Sequence, residues 1–468
     1  MIKLQFSFLH QSVEDRRNLI LNGSITPTIL LLSLPALMMG LVQSAIPVVD
    51  SLFINNFSGT IAASAISYSG PVINMMAALG QGLSVAAMAI IGQANGRGDF
   101  SEARKVSTQI FLFSFLLGFV IAPLLVVVSF PVSQNVNAEI SRDVFTYLAL
   151  NALVLPFSFM ESIYNAIKNA NGKPEAAFTR MVLMLVMKIA FNTLFIAVFR
   201  WGVVGTVAAT LLANILICIW MFHELFIKAG SERLVIKGFK FDTKIIRDLF
   251  RVGIPSALSS LILNLGFFLI NNEIEKYGPV VMNGQGIAGS ITTICFIVPS
   301  SFASSVTTMV SMNVGAGQGE KAHRSCITGC IISAVTAAIL IAVVVPLSST
   351  LTVLFTRETA VLAVANKALH IYTYSVIGFG VGMVQQGAFI GLGRTRITLV
   401  ASILRIWLLR YIFILATEGM LGFYSVFWGN LFSNYIAAIF TTIMFIRTKW
   451  ISALPYHMPD RVAKTIDS

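Results

Sequence analysis

The sequence predicts an all-α membrane protein with twelve transmembrane helices in two pseudo-symmetric six-helix bundles. Hydrophobic residues make up 56% of the chain and charged residues only 11%, whereas a soluble domain carries about 25% charged residues. Apolar runs recur along the chain, each long enough to cross the hydrocarbon layer, which takes about 20 helical residues. Polar glycine turns also recur at a nearly constant spacing, which indicates an internal repeat.

The apolar runs are helices because a backbone amide in lipid has to find its partner within its own segment. A membrane barrel would instead show segments of about 10 residues with alternating polarity, and the runs here are longer and continuously apolar. The predicted spans are 26–54, 61–91, 105–131, 143–167, 177–199, 203–227, 248–271, 280–310, 325–347, 368–391, 397–416 and 421–446.

The net charge is +12, and the basic residues are distributed unevenly between the connections on the two sides of the membrane. If the N-terminus is cytoplasmic, 24 of the 32 lysines and arginines lie in cytoplasmic segments and 6, including Arg410, lie on the outer side. This is the positive-inside pattern. It predicts a multi-pass protein of the cell (inner or plasma) membrane with both termini in the cytoplasm, and it explains the charge without nucleic acid.

The longest polar connection divides the chain into two halves. The predicted organisation is an N-terminal segment 1–25, a first bundle 26–227, a linker 228–247, a second bundle 248–446 and a cytoplasmic tail 447–468. Residues 1–25 carry four charges at 14–17 and lack the short apolar core of a signal peptide, so we expect an amphipathic stub.

The two halves share landmarks in the same order. Pro35 corresponds to Pro255, the turn at Gly96 to the turn at Gly315, and Gly172 to Gly393, with offsets of 219 to 221 residues. Six spans per half give both halves the same orientation, so the repeat is parallel. In transporters built this way the substrate path lies between the halves.

The same landmarks carry a family resemblance. Leu34-Pro35 through Ile54, Gly92-Gln93-Ala94-Asn95-Gly96, Val314-Gly315-Ala316-Gly317 and Gly391-Leu392-Gly393-Arg394 resemble the multidrug and toxic compound extrusion (MATE) transporters over roughly residues 25–447. The resemblance implies a V-shaped pair of bundles. It also implies an antiporter that exports small organic, often cationic, compounds in exchange for protons or sodium by alternating access.

Asp50 is the candidate coupling residue. It lies deep in the first span, where ionisable residues are costly and mark functional sites, and the resemblance places the coupling acid of the first half there. A carboxylate at the outer helix end is the other interpretation. The repeat puts Ile270 at the position of Asp50 in the second half, so we expect coupling to reside in the first half.

Lys188 and Asn192 stand in helix five, where the resemblance implies an asparagine and an aspartate. We hypothesise that Lys188 pairs with Asp50 and that a proton on Asp50 breaks the pair, with a static ion pair as the alternative. The change makes a family-type sodium site doubtful, but proton and sodium coupling both stay open.

Other side chains in the spans are candidates for a substrate cavity. Flexible methionines with a few polar groups suit a cavity of broad specificity, although packing is the alternative for each methionine. Glu161 faces either the cavity or the cytoplasmic end. Arg405 either binds an anionic group or forms a structural contact with a backbone carbonyl or with Glu418. The candidates are Gln43, Tyr68, Asn74, Met75, Glu161, Tyr164, Met184 and Arg405.

Several other functions find no support in the sequence. Gly80-Gln81-Gly82 lies within an apolar helix with no preceding strand, so it indicates helix packing rather than a nucleotide loop. We find no catalytic set and expect no enzyme activity, no metal and no cofactor beyond the coupling ion. The expected partners are the small substrate and membrane lipid, and we expect a monomer. A flippase for a lipid-linked sugar or polyisoprenoid is the alternative function.

Overall fold

The computed structural model describes residues 11–136, 138–228, 233–236 and 241–451. The predicted N-terminal segment, linker and tail therefore lie partly outside the described residues. Within the described ranges all regular structure is helical, with no strand.

Among the described residues, ten helices are long and apolar enough to cross a membrane, and two bent helix pairs bring the number to twelve if each pair is one span. The predicted all-helical membrane fold is thus confirmed. The bent pairs coincide with the predicted spans 143–167 and 368–391, which the sequence indicated as single helices. Their bends are 52° and 43°.

The first compact unit contains the described residues up to Asn18 and residues Met38–Ala257. π-helical stretches continue two of its helices at Thr193–Val198 and His223–Ile227. The helices that lie in it wholly or in part are α1 (Val13–Asn22), α2 (Ile25–Phe57), α3 (Gly59–Arg97), α4 (Phe100–Gln134), α5 (Ala138–Asn151), α6 (Leu155–Ala170), α7 (Pro174–Asn192), α8 (Gly202–Phe222) and α9 (Thr243–Glu275).

The second compact unit contains Leu19–Leu37 and the described residues from Leu258 onward. A π-helical stretch at Leu404–Tyr411 joins two of its helices. Beyond the parts of α1, α2 and α9 that belong to it, its helices are α10 (Pro279–Gly315), α11 (Gly319–Val344), α12 (Ser348–Val353), α13 (Thr359–Tyr374), α14 (Val376–Gly391), α15 (Thr395–Ile403), α16 (Ile412–Leu421) and α17 (Tyr424–Arg447). The domain boundaries predicted above stay a prediction.

Glycines with positive φ mark the ends of corresponding helices in the two halves of the sequence. A residue with a Cβ rarely adopts this left-handed conformation, and glycine adopts it freely. Gly98 ends α3 with φ of 81°, and its amide bonds the last helical carbonyls. The positions form four pairs separated by 219 to 221 residues: Gly59 and Gly278, Gly98 and Gly317, Gly172 and Gly393, Gly202 and Gly422.

The N-terminal helix α1 is anchored through a buried arginine. The Arg16 side chain is fully buried, and its guanidinium donates to the Glu175 carboxylate at 2.6 Å. Arg17 donates to the carbonyl of Gly96 at 3.0 Å. The expected amphipathic stub is therefore, in its described part, a helix fixed to the first unit at the turn after α3.

Candidate functional site

The first unit holds an intramembrane charge cluster centred on Asp50. Lys188 donates a hydrogen bond from its ammonium to Oδ2 of Asp50, and Asn192 donates from Nδ2 to Oδ1 at 2.8 Å. The Asp50 side chain is 20% exposed and the Lys188 side chain 5%. The contact hypothesised between Lys188 and Asp50 is thus present, and Asn192 joins it.

Helical spacing explains why Lys188 and Asn192 meet one carboxylate. Both lie on α7 four residues apart, and side chains at i and i+4 share a helix face. The π-helical stretch starts directly after Asn192, and such irregular turns are frequent at functional sites. The two donors therefore approach the two oxygens of Asp50 from one face of one helix.

This arrangement compensates Asp50 in its ionised form. An ammonium and an amide N–H are both donors, so they stabilise a carboxylate that accepts from both. The attraction between Asp50 and Lys188 therefore depends on the negative charge of the carboxylate, as well as on the two hydrogen bonds.

Tyr147 is a neighbour of this cluster that sequence reasoning missed. It lies on α5, where its hydroxyl interacts electrostatically with the Asp50 carboxylate and forms a hydrogen bond with the Asn151 side chain. No sequence signal pointed to it, because a tyrosine in a membrane-spanning segment is ordinary and its distance from Asp50 depends on the tertiary fold.

Glu161 and Tyr164 take part in a second polar network in the first unit. Arg180 donates to Glu161 at 2.5 Å and to the side-chain oxygen of Asn165 at 3.0 Å. The hydroxyl of Tyr164 donates to Glu224, which Lys168 also contacts at 2.8 Å. Glu161 is thus paired with Arg180, and its orientation toward a cavity or toward the cytoplasmic end stays a prediction.

The remaining candidates of the first half differ in exposure. Gln43, Tyr68 and Asn74 are exposed, Met75 is half-buried and Met184 is buried. None of these five side chains contacts Asp50 in a described hydrogen bond. Their assignment to a substrate cavity stays a prediction.

Arg405 lies in the second unit, in a cavity of about 380 Å³ that it shares with Arg410. Both arginines are buried, at 8% and 7% exposure, and both belong to the π-helical stretch Leu404–Tyr411. Arg410 was counted above on the outer side, although the predicted span 397–416 contains it. The structure places it within a candidate membrane-spanning helix that continues to Leu421, so it does not belong to a connection between spans.

Glu418 is not the partner of Arg405. It accepts a hydrogen bond from the Tyr277 hydroxyl at 2.9 Å. Burial and this acceptor raise the pKa of Tyr277, which stands in the connection between α9 and α10, to about 12. Of the alternatives considered for Arg405, bracing against Glu418 is thus removed.

Within the described residues, no group of three His, Cys, Asp or Glu side chains could hold a metal ion. No metal ion is therefore assigned, within the described residues, to the Asp50 cluster or to the network around Glu161.

A repeated bundle of apolar helices with charged side chains inside its spans defines a multi-pass membrane transporter. The family model MatE matches the chain over residues 35–194 and again over 255–415, so the chain belongs to the MatE family, and the family indicated by the sequence resemblance is confirmed. The second match begins 220 residues after the first, which confirms the repeat.

Curated relatives match over most of the chain. The "Probable multidrug resistance protein YpnP" of Bacillus subtilis is 24% identical over 86% of this chain and 90% of its own length. The "Multidrug export protein MepA" of Staphylococcus aureus is 23% identical over 87% of this chain and 90% of its own length.

Solved structures share the fold. A structure described as the outward-facing conformation of a multidrug resistance MATE family transporter superposes with a TM-score of 0.86 at 23% identity, covering 93% of this chain and 98% of that one.

Proposed function

We propose that this protein is a secondary active efflux transporter that exports small organic compounds in exchange for protons, with Asp50 as the proton acceptor. The observation that carries the proposal is the contact of both Asp50 oxygens with Lys188 and Asn192 inside a membrane-spanning segment. The names of the relatives, which refer to multidrug resistance and multidrug export, support an organic substrate and favour efflux over the flippase alternative.

The charge arrangement favours protons over sodium. A sodium ion at Asp50 would have to displace the Lys188 ammonium, which already compensates the carboxylate. A proton needs no such space, because it neutralises Asp50 and releases Lys188. Protonation of Asp50 from the outer side would then accompany substrate release by alternating access.

Dye efflux from proteoliposomes tests this function. The purified protein is reconstituted with a fluorescent organic cation such as ethidium, and a proton gradient at fixed sodium is compared with a sodium gradient at fixed pH. We expect efflux driven by the proton gradient, and near-background efflux for Asp50→Asn. Glu320→Gln is the matched control, because this acid is 78% exposed and its partner in the structure is a neighbour on the same helix, Arg324.

Undiminished proton-driven efflux in Asp50→Asn would remove this carboxyl from the mechanism. Efflux driven by sodium alone would overturn the choice of coupling ion.

A further inference from the structure

We propose that the cavity around Arg405 and Arg410 is a binding site for organic anions that carry a carboxylate, sulfonate or phosphate group on an aromatic or apolar body. The proposal names a ligand class for the transporter and, as far as transport is concerned, rests on the function proposed above. The site itself lies wholly within the second unit and is tested by binding.

The two arginines lack compensation by acids. Neither forms an ion pair with a described residue, and no Asp or Glu is among the described residues that line the cavity. The Nε donor of each guanidinium is buried without a hydrogen-bond partner in the described part of the chain. Buried cations of this kind are costly in a membrane protein and usually mark a ligand or ion pathway.

The repeat shows which group is missing. Lys188 in the first half and Arg405 in the second lie in corresponding helices, and the 220-residue offset of the family matches places Ile270 at the position of Asp50. Ile270 and Asn271 line the cavity of the arginines. The first half therefore contains a cation with its acid, whereas the second half contains cations whose acid is replaced by an apolar residue and an amide. An anionic ligand supplies the missing charge.

Aromatic rings hold the arginines in position. The Arg405 guanidinium lies 5.3 Å from the ring centroid of Phe379, and that of Arg410 lies 5.7 Å from the ring of Phe267. A ring face attracts the cation without accepting its in-plane N–H groups. Apart from the group that Arg410 directs at the Tyr372 hydroxyl, these N–H groups include the unpaired Nε donors and suit the paired hydrogen bonds that guanidinium forms with carboxylate or phosphate.

The lining also suits the body of an organic ligand. Phe296 stacks on Phe379 with centroids 4.3 Å apart, and Met383 lies beside them in the cavity. A water molecule takes about 30 Å³ of liquid volume, so about 380 Å³ is far more than a chloride ion needs. Amides of Asn271, Gln285 and Asn434 add further donors and acceptors.

A charge series of one ligand skeleton tests the site. The detergent-purified full chain is titrated calorimetrically with 2-naphthoate, 2-naphthamide and 2-naphthylmethylammonium, which share the ring system and differ in charge. We expect naphthoate to bind about tenfold or more tightly than the other two, because hydrogen bonds to charged groups are the strong ones.

Variants assign the effect to the arginines. Arg405→Gln and Arg410→Gln should each weaken naphthoate binding about tenfold and leave naphthamide binding unchanged. Arg405→Lys should keep a measurable part of the preference for the anion. Arg324→Gln is the matched control, because that arginine is 68% exposed. Naphthamide binding also reports that each variant is folded, so a weak signal for naphthoate alone is interpretable.

Equal affinity for the three ligands, or a naphthoate preference that survives both glutamine variants, would overturn the proposal. Dihexanoylphosphatidate as a competitor separates the sources of the anion. Stronger binding of this lipid than of naphthoate indicates a lipid headgroup, weaker binding indicates a soluble organic acid, and either order supports an anion site.

The two proposals fail separately. If ethidium efflux depends on Asp50 but naphthoate binding does not depend on the arginines, the proposed efflux function stands and the anion site is refuted. Arginine-dependent binding without gradient-driven efflux of either ethidium or naphthoate would leave the site and remove the function.

Discussion

Asp50 is held by donors from a single helix, so the charge state of one residue and the position of that helix are connected. The Lys188 and Asn192 donors both leave α7, and Asp50 is on α2. Loss of the negative charge on Asp50 removes the main attraction between these side chains. If Asp50 accepts a proton, as proposed above, the event would therefore also weaken the link between α7 and α2 that these side chains form.

Lys188→Ala should change the pH profile of transport, because the variant lacks the ammonium that neutralises the Asp50 carboxylate in the ion pair. Proton-driven dye efflux measured from pH 6 to 9 checks this.

Lys188→Arg retains the charge and is the control, with a profile close to that of the native protein. A pH profile in Lys188→Ala that superposes on the native one would show that the ion pair is structural only.

The sequence predicted the Asp50 cluster better than the arginine cavity. Asp50 and Lys188 stood out because each is ionisable and lies deep within an apolar run, and the family resemblance added Asn192, four residues after Lys188. Arg410 was counted with the outer charges because it lies near the end of the predicted span 397–416, and no sequence signal indicated that it shares a cavity with Arg405. The aromatic partners Phe267 and Phe379 gave no signal, since phenylalanine is common throughout the chain.

At the scale of helices, hydropathy predicted the spans and missed the bends. α5 and α6 are joined through Ala152–Val154, a stretch as apolar as its surroundings, so no break shows in the hydropathy of 143–167. Pro156 at the start of α6 is the local cause, because proline lacks an amide donor and favours the first turn of a helix. Composition therefore predicts the length of a membrane-spanning segment but not whether the segment is bent.

Gly82→Ala should destabilise the protein by about 1–3 kcal/mol, because added atoms in a packed interface force the backbone apart. A Cβ built on Gly82 would lie 2.6 Å from the carbonyl oxygen of Gly253 and 2.6 Å from the Cβ of Ala257, both within the first unit. Thermal unfolding of the detergent-purified variant, followed by size-exclusion chromatography, measures the loss.

Gly70→Ala is the control in the same helix, α3, since a Cβ there has nothing within 4 Å. It should leave the stability unchanged or raise it slightly, because alanine is the better helix former. An equal loss in both variants would indicate that helix propensity or membrane insertion, and not the close contact with Gly253, determines the effect.

For the whole molecule, the charge asymmetry predicts an orientation that labelling can test. We expect Arg357, which is exposed in the connection between α12 and α13, to face outward, and Glu320, at the start of α11, to face the cytoplasm. The four native cysteines are buried or half-buried and are replaced by alanine. In intact cells a membrane-impermeant maleimide should then label Arg357→Cys and leave Glu320→Cys unlabelled until the cells are permeabilised.

The reverse labelling pattern would contradict the cytoplasmic location of both termini. Labelling of both positions before permeabilisation would contradict the predicted spans between them.

The second compact unit contains a segment from early in the described chain, and this has a consequence for biosynthesis. Leu19–Leu37 belong to this unit although Met38–Ala257, which follow them in the chain, belong to the first unit. Lys321 donates hydrogen bonds to the carbonyls of Leu21 and Gly23 and is translated about 300 residues after them. During synthesis this segment therefore exists long before its partners in the second unit do, and lipid or the translocon has to surround it in the meantime.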